Sequence, residues 1–173
     1  LHAIWLHWTG ADYARVFDAY HFCLAGADDI VVHATHDLCA NMRDVRVDAR
    51  LPYAAHTANR NSYAIGIAAC GMANAVPAAF GTAPLTAAQC DGLVAVSARL
   101  VAHYAIPLAA VRTHAEAACE DGYFGAGEDE RWDIARLAPS DAPLDPREAA
   151  LTGDWFRARI AAELERLDRG SVE

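Results

Sequence analysis

The stretch Ala3-Ile4-Trp5-Leu6-His7-Trp8-Thr9-Gly10 is a short apolar run that reaches an imidazole and then breaks at Thr-Gly. It is too short for a helix, and Thr-Gly is a turn signal, so the run reads as a strand. Apolar residues at successive positions place that strand in the middle of a sheet, covered on both sides. His7 therefore stands at the end of a central strand.

Further strands follow. Phe22–Leu24 and Asp29–His33 flank Gly26-Ala27-Asp28, a hairpin signal with strand-forming Ile30, Val31 and Val32. Asn59-Arg60-Asn61-Ser62 is a turn, and Tyr63–Cys70 after it reads as another buried strand. Asp37–Thr57, with Arg43, Arg46 and Arg50, reads as loop with short helical or strand pieces, and Met72–Pro84, with its prolines, as a structured loop. Thr86 with Gln89 three residues later is a capping-box pattern, and it predicts a helix over Ala87–Tyr104. Leu93, Val96, Leu100 and Val101 are its expected buried face, and Pro107 its stop. Ala109–Thr113 is predicted as a last strand delivering His114, and Gly122–Glu130 as a glycine-rich acidic loop. Asp145-Pro146 opens a final helix through Leu167, with Trp155, Phe156, Ile160, Leu164 and Leu167 at helical spacing. Strands mingle with helices, so the class is α/β, a sheet with helices packed on it.

A length of 173 residues fits one domain with a real core. The charge of −9 argues against a nucleic-acid partner, which needs a cationic footprint. All 14 basic residues are Arg; the absence of Lys is read as compositional bias beside the abundant Ala, Gly and Asp. The longest apolar run, Gly92–Ala110, is interrupted by Ser97, Arg99, His103 and Pro107 and reads as a buried helix, so no membrane span is expected. Cys23, Cys39, Cys70, Cys90 and Cys119 form no CxxC pair and are expected as reduced, buried thiols. No signal peptide is visible among these residues.

Three segments carry candidate chemistry: Leu6-His7-Trp8-Thr9-Gly10, Thr113-His114-Ala115-Glu116 and Arg131-Trp132-Asp133-Ile134. Each offers a zinc ligand at or just after a predicted strand end. Two imidazoles and one carboxylate leave the fourth tetrahedral position for water, as in a catalytic rather than a structural zinc site. Taken singly, His7 reads as a core histidine more readily than as a ligand. His33, His36 and Asp37 read as a solvated loop. His2, His21, His103 and Glu116 read as structural. Gly66, Gly71 and Gly81 make no dinucleotide fingerprint.

Seven segments in order resemble the zinc-dependent N-acetylmuramoyl-L-alanine amidases, the amidase-2 or peptidoglycan-recognition-protein-like family, and especially phage-type endolysins. They are Ile4-Trp5-Leu6-His7-Trp8-Thr9, Tyr20-His21-Phe22, Ala55-His56-Thr57-Ala58-Asn59, Ser62-Tyr63-Ala64-Ile65-Gly66-Ile67-Ala68, Pro84-Leu85-Thr86 with Gln89, Thr113-His114-Ala115-Glu116 and Arg131-Trp132-Asp133. The resemblance spans roughly 1–137. It implies a single-domain mixed central β-sheet flanked by helices, with a catalytic domain at 1–140 and a helical extension at 141–173 packed on it. It further implies one zinc per chain, held by His7, His114 and Asp133. Tyr20, Arg131 and His56 are the implied catalytic residues, with His56 and Asn59 on the substrate groove.

The implied reaction is hydrolysis of the amide between N-acetylmuramic acid and L-alanine in peptidoglycan. Tyr20 and Arg131 would stabilise the oxyanion, and His56 or Tyr20 would protonate the leaving amine. Two departures stand out. Ala68 and Ala69 occupy the strand end where some family members carry Glu, and Arg131 stands where Lys is customary. Arg holds an oxyanion but does not readily shuttle a proton. The short spacing from His7 to Tyr20 also implies that a helix usual there is reduced. A monomer is expected, made in the cytoplasm and acting on the cell wall or periplasm. A non-catalytic peptidoglycan-binding module is the alternative, and a zinc peptidase acting on stem peptides a third reading.

Overall fold

The computed structural model describes residues 1–47 and 50–170; Asp48, Ala49 and positions 171–173 of the expected C-terminal extension lie outside the described residues. Among the described residues five strands form one sheet: β1 (Ala3–Trp8), β2 (Phe22–Ala25), β3 (Val31–Ala34), β4 (Ala64–Ala69) and β5 (Val111–Thr113), in the order β3-β2-β4-β1-β5. β1 pairs in parallel with β4 and β5, and β2 in parallel with β4; the β2–β3 hairpin is antiparallel. The fold is a mixed α/β sheet flanked by helices, with β1 inside it.

Alternation along the strands separates two faces. Ile4 and Leu6 of β1, Leu24 of β2, and Ile65, Ile67 and Ala69 of β4 join one apolar core with helix α1 (Ala87–Tyr104) and helix α3 (Pro146–Gly170). The opposite positions are His7 and Trp5 on β1, Cys23 on β2, and Ala64, Gly66 and Ala68 on β4. These face the loops and the helix α2 (His114–Asp121). The Ile-Gly-Ile pattern thus serves two masters: isoleucines fill the helix side, and small residues leave room on the loop side.

α1 begins as expected, with Thr86 and Gln89 closing a reciprocal capping box. Its buried face is rotated from the expected one: Cys90, Leu93, Val94, Ser97, Ala98 and Val101 are buried, whereas Val96 and Leu100 are only half-buried. The alanine and serine positions allow the close approach to the sheet, so they and not the larger Val96 and Leu100 turn inward. Ala105, at φ 52°, ends the helix in the left-handed conformation two residues before Pro107.

α2 was not expected. Its signal is a second capping box, in which Thr113 accepts from the Glu116 amide and Glu116 accepts from the Thr113 amide. Between β1 and β2 the chain makes turns and no helix. The five cysteines are free; Cys39 is exposed and Cys119 half-buried, so burial holds only for Cys23, Cys70 and Cys90.

Candidate metal centre and groove

β1 brings His7 to the loop side of the sheet, fully buried. β5 ends at Thr113, and the capping box turns the chain so that His114 opens α2 beside it. Asp133 arrives on the turn at 131–134, where Ile134 has a φ of 60°. The Asp133 carbonyl accepts from the Ala115 amide at 3.0 Å, which ties the third segment to the second.

His7 Nδ1 and His114 Nδ1 lie 3.1 Å apart, His114 Nδ1 and Asp133 Oδ2 3.2 Å, and His7 Nδ1 and Asp133 Oδ2 3.5 Å. Ligand atoms on a tetrahedral zinc with bonds of about 2.0–2.1 Å are about 3.3 Å apart along each edge. The three atoms therefore form one face of such a tetrahedron, with the two nitrogens and one oxygen that zinc accepts, so the residues fit the ion. Among the described residues this is the one trio arranged to hold a metal; His33, His36 and Asp37 are not.

The electrostatics favour a neutral imidazole beside an ionised carboxylate. Burial and, to a smaller extent, the neighbouring His114 drive the His7 pKa down to about 4, against the opposing pull of Asp133. Burial pushes Asp133 upward, but the hydrogen bonds from His114 and His7 outweigh it and hold the carboxyl below the usual range. A deprotonated ligand set is what a cation requires.

Above this trio lies a cavity of about 400 Å³ lined by Trp8, Tyr20, His56, His114, Arg131 and Asp133, among others. A second cavity, of about 570 Å³, shares Ala55, His56, His114 and Arg131 and extends past Asn61 and Tyr123. Together they make a groove across the site. Trp8 and Trp132 meet edge to face at 5.1 Å on one wall. The Tyr20 ring lies 5.1 Å from that of His7. Burial first, then the Asp133 charge, raises its pKa, so the hydroxyl keeps its proton at neutral pH.

Arg131 lines both cavities with an exposed side chain, and its Nη1 donates to the Glu128 and Glu130 carbonyls. His56 lines both as well and is buried. Its side chain packs against Gly66, where a Cβ would come within 2.4 Å of it. Burial, with the charges of His7, His21 and His114, lowers its pKa well below the ordinary imidazole value. Asn59 is exposed at φ 59° and lines neither cavity. Asn61 does, and its Oδ1 accepts from the amides of His56 and Thr57.

Sequence reasoning missed Tyr123, which lines the groove and whose buried hydroxyl has no partner among the described residues, although an aromatic inside the glycine-rich loop is a legible signal. It also missed Asn41. That fully buried amide bonds the backbone of Ala54 and Asn61 and so shapes the loop carrying His56. No local sequence pattern marks it.

The solved complex of the N-acetylmuramyl-L-alanine amidase AmiD from E. coli with anhydro-N-acetylmuramic acid-L-Ala-D-gamma-Glu-L-Lys is similar at 15% identity and a TM-score of 0.46. The match covers 88% of this chain, which spans 57% of that one. No curated protein sequence matches. The family model described as N-acetylmuramoyl-L-alanine amidase, amidase-2, matches residues 1–131, two short of Asp133. By that match over most of its length, the chain belongs to the amidase-2 family.

Proposed function

We propose that this protein is a zinc-dependent peptidoglycan hydrolase that cleaves the amide between N-acetylmuramic acid and L-alanine. The observation that carries the reading is the triangle of His7 Nδ1, His114 Nδ1 and Asp133 Oδ2 at the floor of a groove, in a member of this family. Zinc held by these three residues would supply Lewis acidity and lower the pKa of water towards ~7. Asp133 also keeps a negative charge against the two imidazoles.

The other residues have roles set by their chemistry. Tyr20, protonated at neutral pH, donates its O–H to the carbonyl oxygen as charge develops there. Arg131 adds a permanent cation at the same cavity and, being Arg, orients and stabilises without exchanging a proton. His56 is neutral and buried at the groove floor, where it contacts the substrate side of the site. Trp8 and Trp132 offer an apolar wall to the sugar or the lactyl group. With Ala68 and Ala69 at the end of β4, no carboxylate stands there to act as base.

A phage or prophage lysis role follows from the endolysin-like segments and the absence of that carboxylate. The segment 1–140 carries the catalytic residues, and the extension at 141–173, as far as it is described to Gly170, braces them. Asn59 is assigned to the outer lip of the substrate groove. Elsewhere, no helix among the described residues is long and apolar enough to cross a membrane.

The test is digestion of purified sacculi followed by mass spectrometry. The expected products are intact stem peptides beginning with free L-alanine, lost on chelation and restored by zinc. Asp133→Ala should lose both stoichiometric zinc and cleavage. Cleavage within the stem peptide would make the protein a peptidase instead. Binding of sacculi with no cleavage by zinc-loaded protein would leave a recognition module.

A further inference from the structure

Thr57 is 2% exposed, and its hydroxyl sits between two imidazoles. Oγ1 lies 3.2 Å from His7 Nε2 and 2.9 Å from His56 Nδ1. A hydroxyl carries one proton, so between two neutral rings it donates to one and accepts from the other. The direction of this short chain is therefore decided at one end. His7 is the end that can be set from outside, because its other nitrogen, Nδ1, is the corner of the metal triangle.

We propose that Thr57 is a positioning residue that transmits metal occupancy from His7 to His56 by reversing the direction of its two hydrogen bonds. The inference rests on the metal reading of His7, His114 and Asp133. With a cation on His7 Nδ1, the ring proton is on Nε2 and donates to Thr57 Oγ1. The Thr57 O–H then points to His56 Nδ1, which must accept, and the His56 proton resides on Nε2. Without the cation, His7 carries its proton on Nδ1, facing the Asp133 carboxylate. His7 Nε2 then accepts from Thr57, and Thr57 accepts from His56 Nδ1–H. Each ring stays neutral throughout, so the change at His56 is a shift of tautomer and not of charge.

Two observations support a ring free to respond. Among the described residues His56 Nε2 is buried and makes no hydrogen bond of its own, the nearest backbone influence on the ring being that of Ala64, so the side-chain hydrogen bond to the ring is the one with Thr57. The ring packs against Gly66 on one side, and the His56 backbone amide is held by Asn61. The packing restrains the ring, while the site of its proton is left to its hydrogen bonds. The consequence is that the metal centre and the groove-lining His56 act as one unit: His56 offers an Nε2–H donor only when the metal is in place. The hydroxyl also orients His7 towards the ion, as partners of metal-bound histidines do.

The experiment uses the full chain labelled with ¹⁵N in its histidines. Long-range ¹H–¹⁵N spectra assign the His56 tautomer with zinc bound and after chelation, and competition with a zinc indicator measures affinity. Nε2–H with zinc and Nδ1–H without it is the expected result. Thr57→Val, nearly isosteric but lacking the hydroxyl, should abolish the switch and weaken zinc binding about 10–100-fold. Thr57→Ser should restore both. A wild-type His56 tautomer that ignores zinc, or a Thr57→Val variant that still switches, overturns the relay while leaving the metal site intact. Failure of the wild-type protein to bind zinc overturns the metal reading, and the relay with it.

Discussion

Gly66 shows how much one missing methyl group can hold in place. A Cβ there would meet the Cγ, Cδ2 and Cβ atoms of His56 at 2.4–2.7 Å. Gly66→Ala should cost about 1–3 kcal/mol, the usual range for overpacking, measured as a shift in the urea midpoint at constant m-value. It should also displace His56 and lower zinc affinity through the Thr57 contact. Tyr20 makes the complementary case, because it acts by its hydroxyl and not by its bulk. Tyr20→Phe should lower kcat about 10²–10³-fold, as loss of an oxyanion donor does, with KM little changed. An equal rise in KM alone would assign the hydroxyl to ground-state binding. The candidacy of His7, His114 and Asp133 is legible in the sequence because each stands at or just after a predicted strand end, in segments that follow the family's order. Thr57 and Asn41 are not legible, since only the fold brings Thr57 to His7 and Asn41 to Ala54 and Asn61.

Among the elements, α2 and α3 form a coupled pair behind the ligands. Arg157 of α3 donates to both Glu116 oxygens, at 3.0 and 3.2 Å, and to the Val111 carbonyl at the end of the sheet. Gly153 allows this approach, since a Cβ there would strike the Glu116 carboxylate. Thr152 donates to the Ala135 carbonyl just past Asp133, and Arg136 pairs with Glu148. The terminal helix thus grips the segments carrying His114 and Asp133, although it lies outside the family match at 1–131. Arg157→Ala strands a buried carboxylate, so a loss of about 1–3 kcal/mol in unfolding free energy is expected, with weaker zinc binding. Glu116→Gln in the same background should recover part of that loss; no recovery would place the effect in Arg157 packing against α2. The sequence reading finds α3 from its Asp-Pro start and apolar spacing, but not its role. It finds neither α2 nor the turn of α1, for related reasons. Eight residues are too few for a clear apolar period, and in an alanine-rich helix the smallest side chains decide which face approaches the sheet.

On the scale of the whole molecule, the sheet divides an apolar core from a face crowded with imidazoles. His7, His56 and His21 follow one another there, with ring centroids 5.6 and 5.7 Å apart. His21 is fully buried, and its Nδ1 accepts from the Gly66 amide at 3.0 Å, a bond that only the unprotonated nitrogen can form. Burial, and then the neighbouring His36, lowers its pKa to about 4. In the unfolded chain an imidazole titrates near 6.5, so between those values the unfolded state binds more protons. Stability therefore rises with pH across this window and is lost as pH falls from about 6.5 to about 4. The slope is up to about 1.4 kcal/mol per pH unit for each such group. Urea unfolding of the metal-free protein at successive pH values should show the decline, with His7 and His56 contributing in the same direction. His21→Gln keeps an acceptor for Gly66 but cannot titrate, so its slope should be shallower by up to that amount. Equal slopes for variant and wild type would mean that His21 takes up its proton equally in the folded and unfolded states and that the Gly66 bond gives way at no cost.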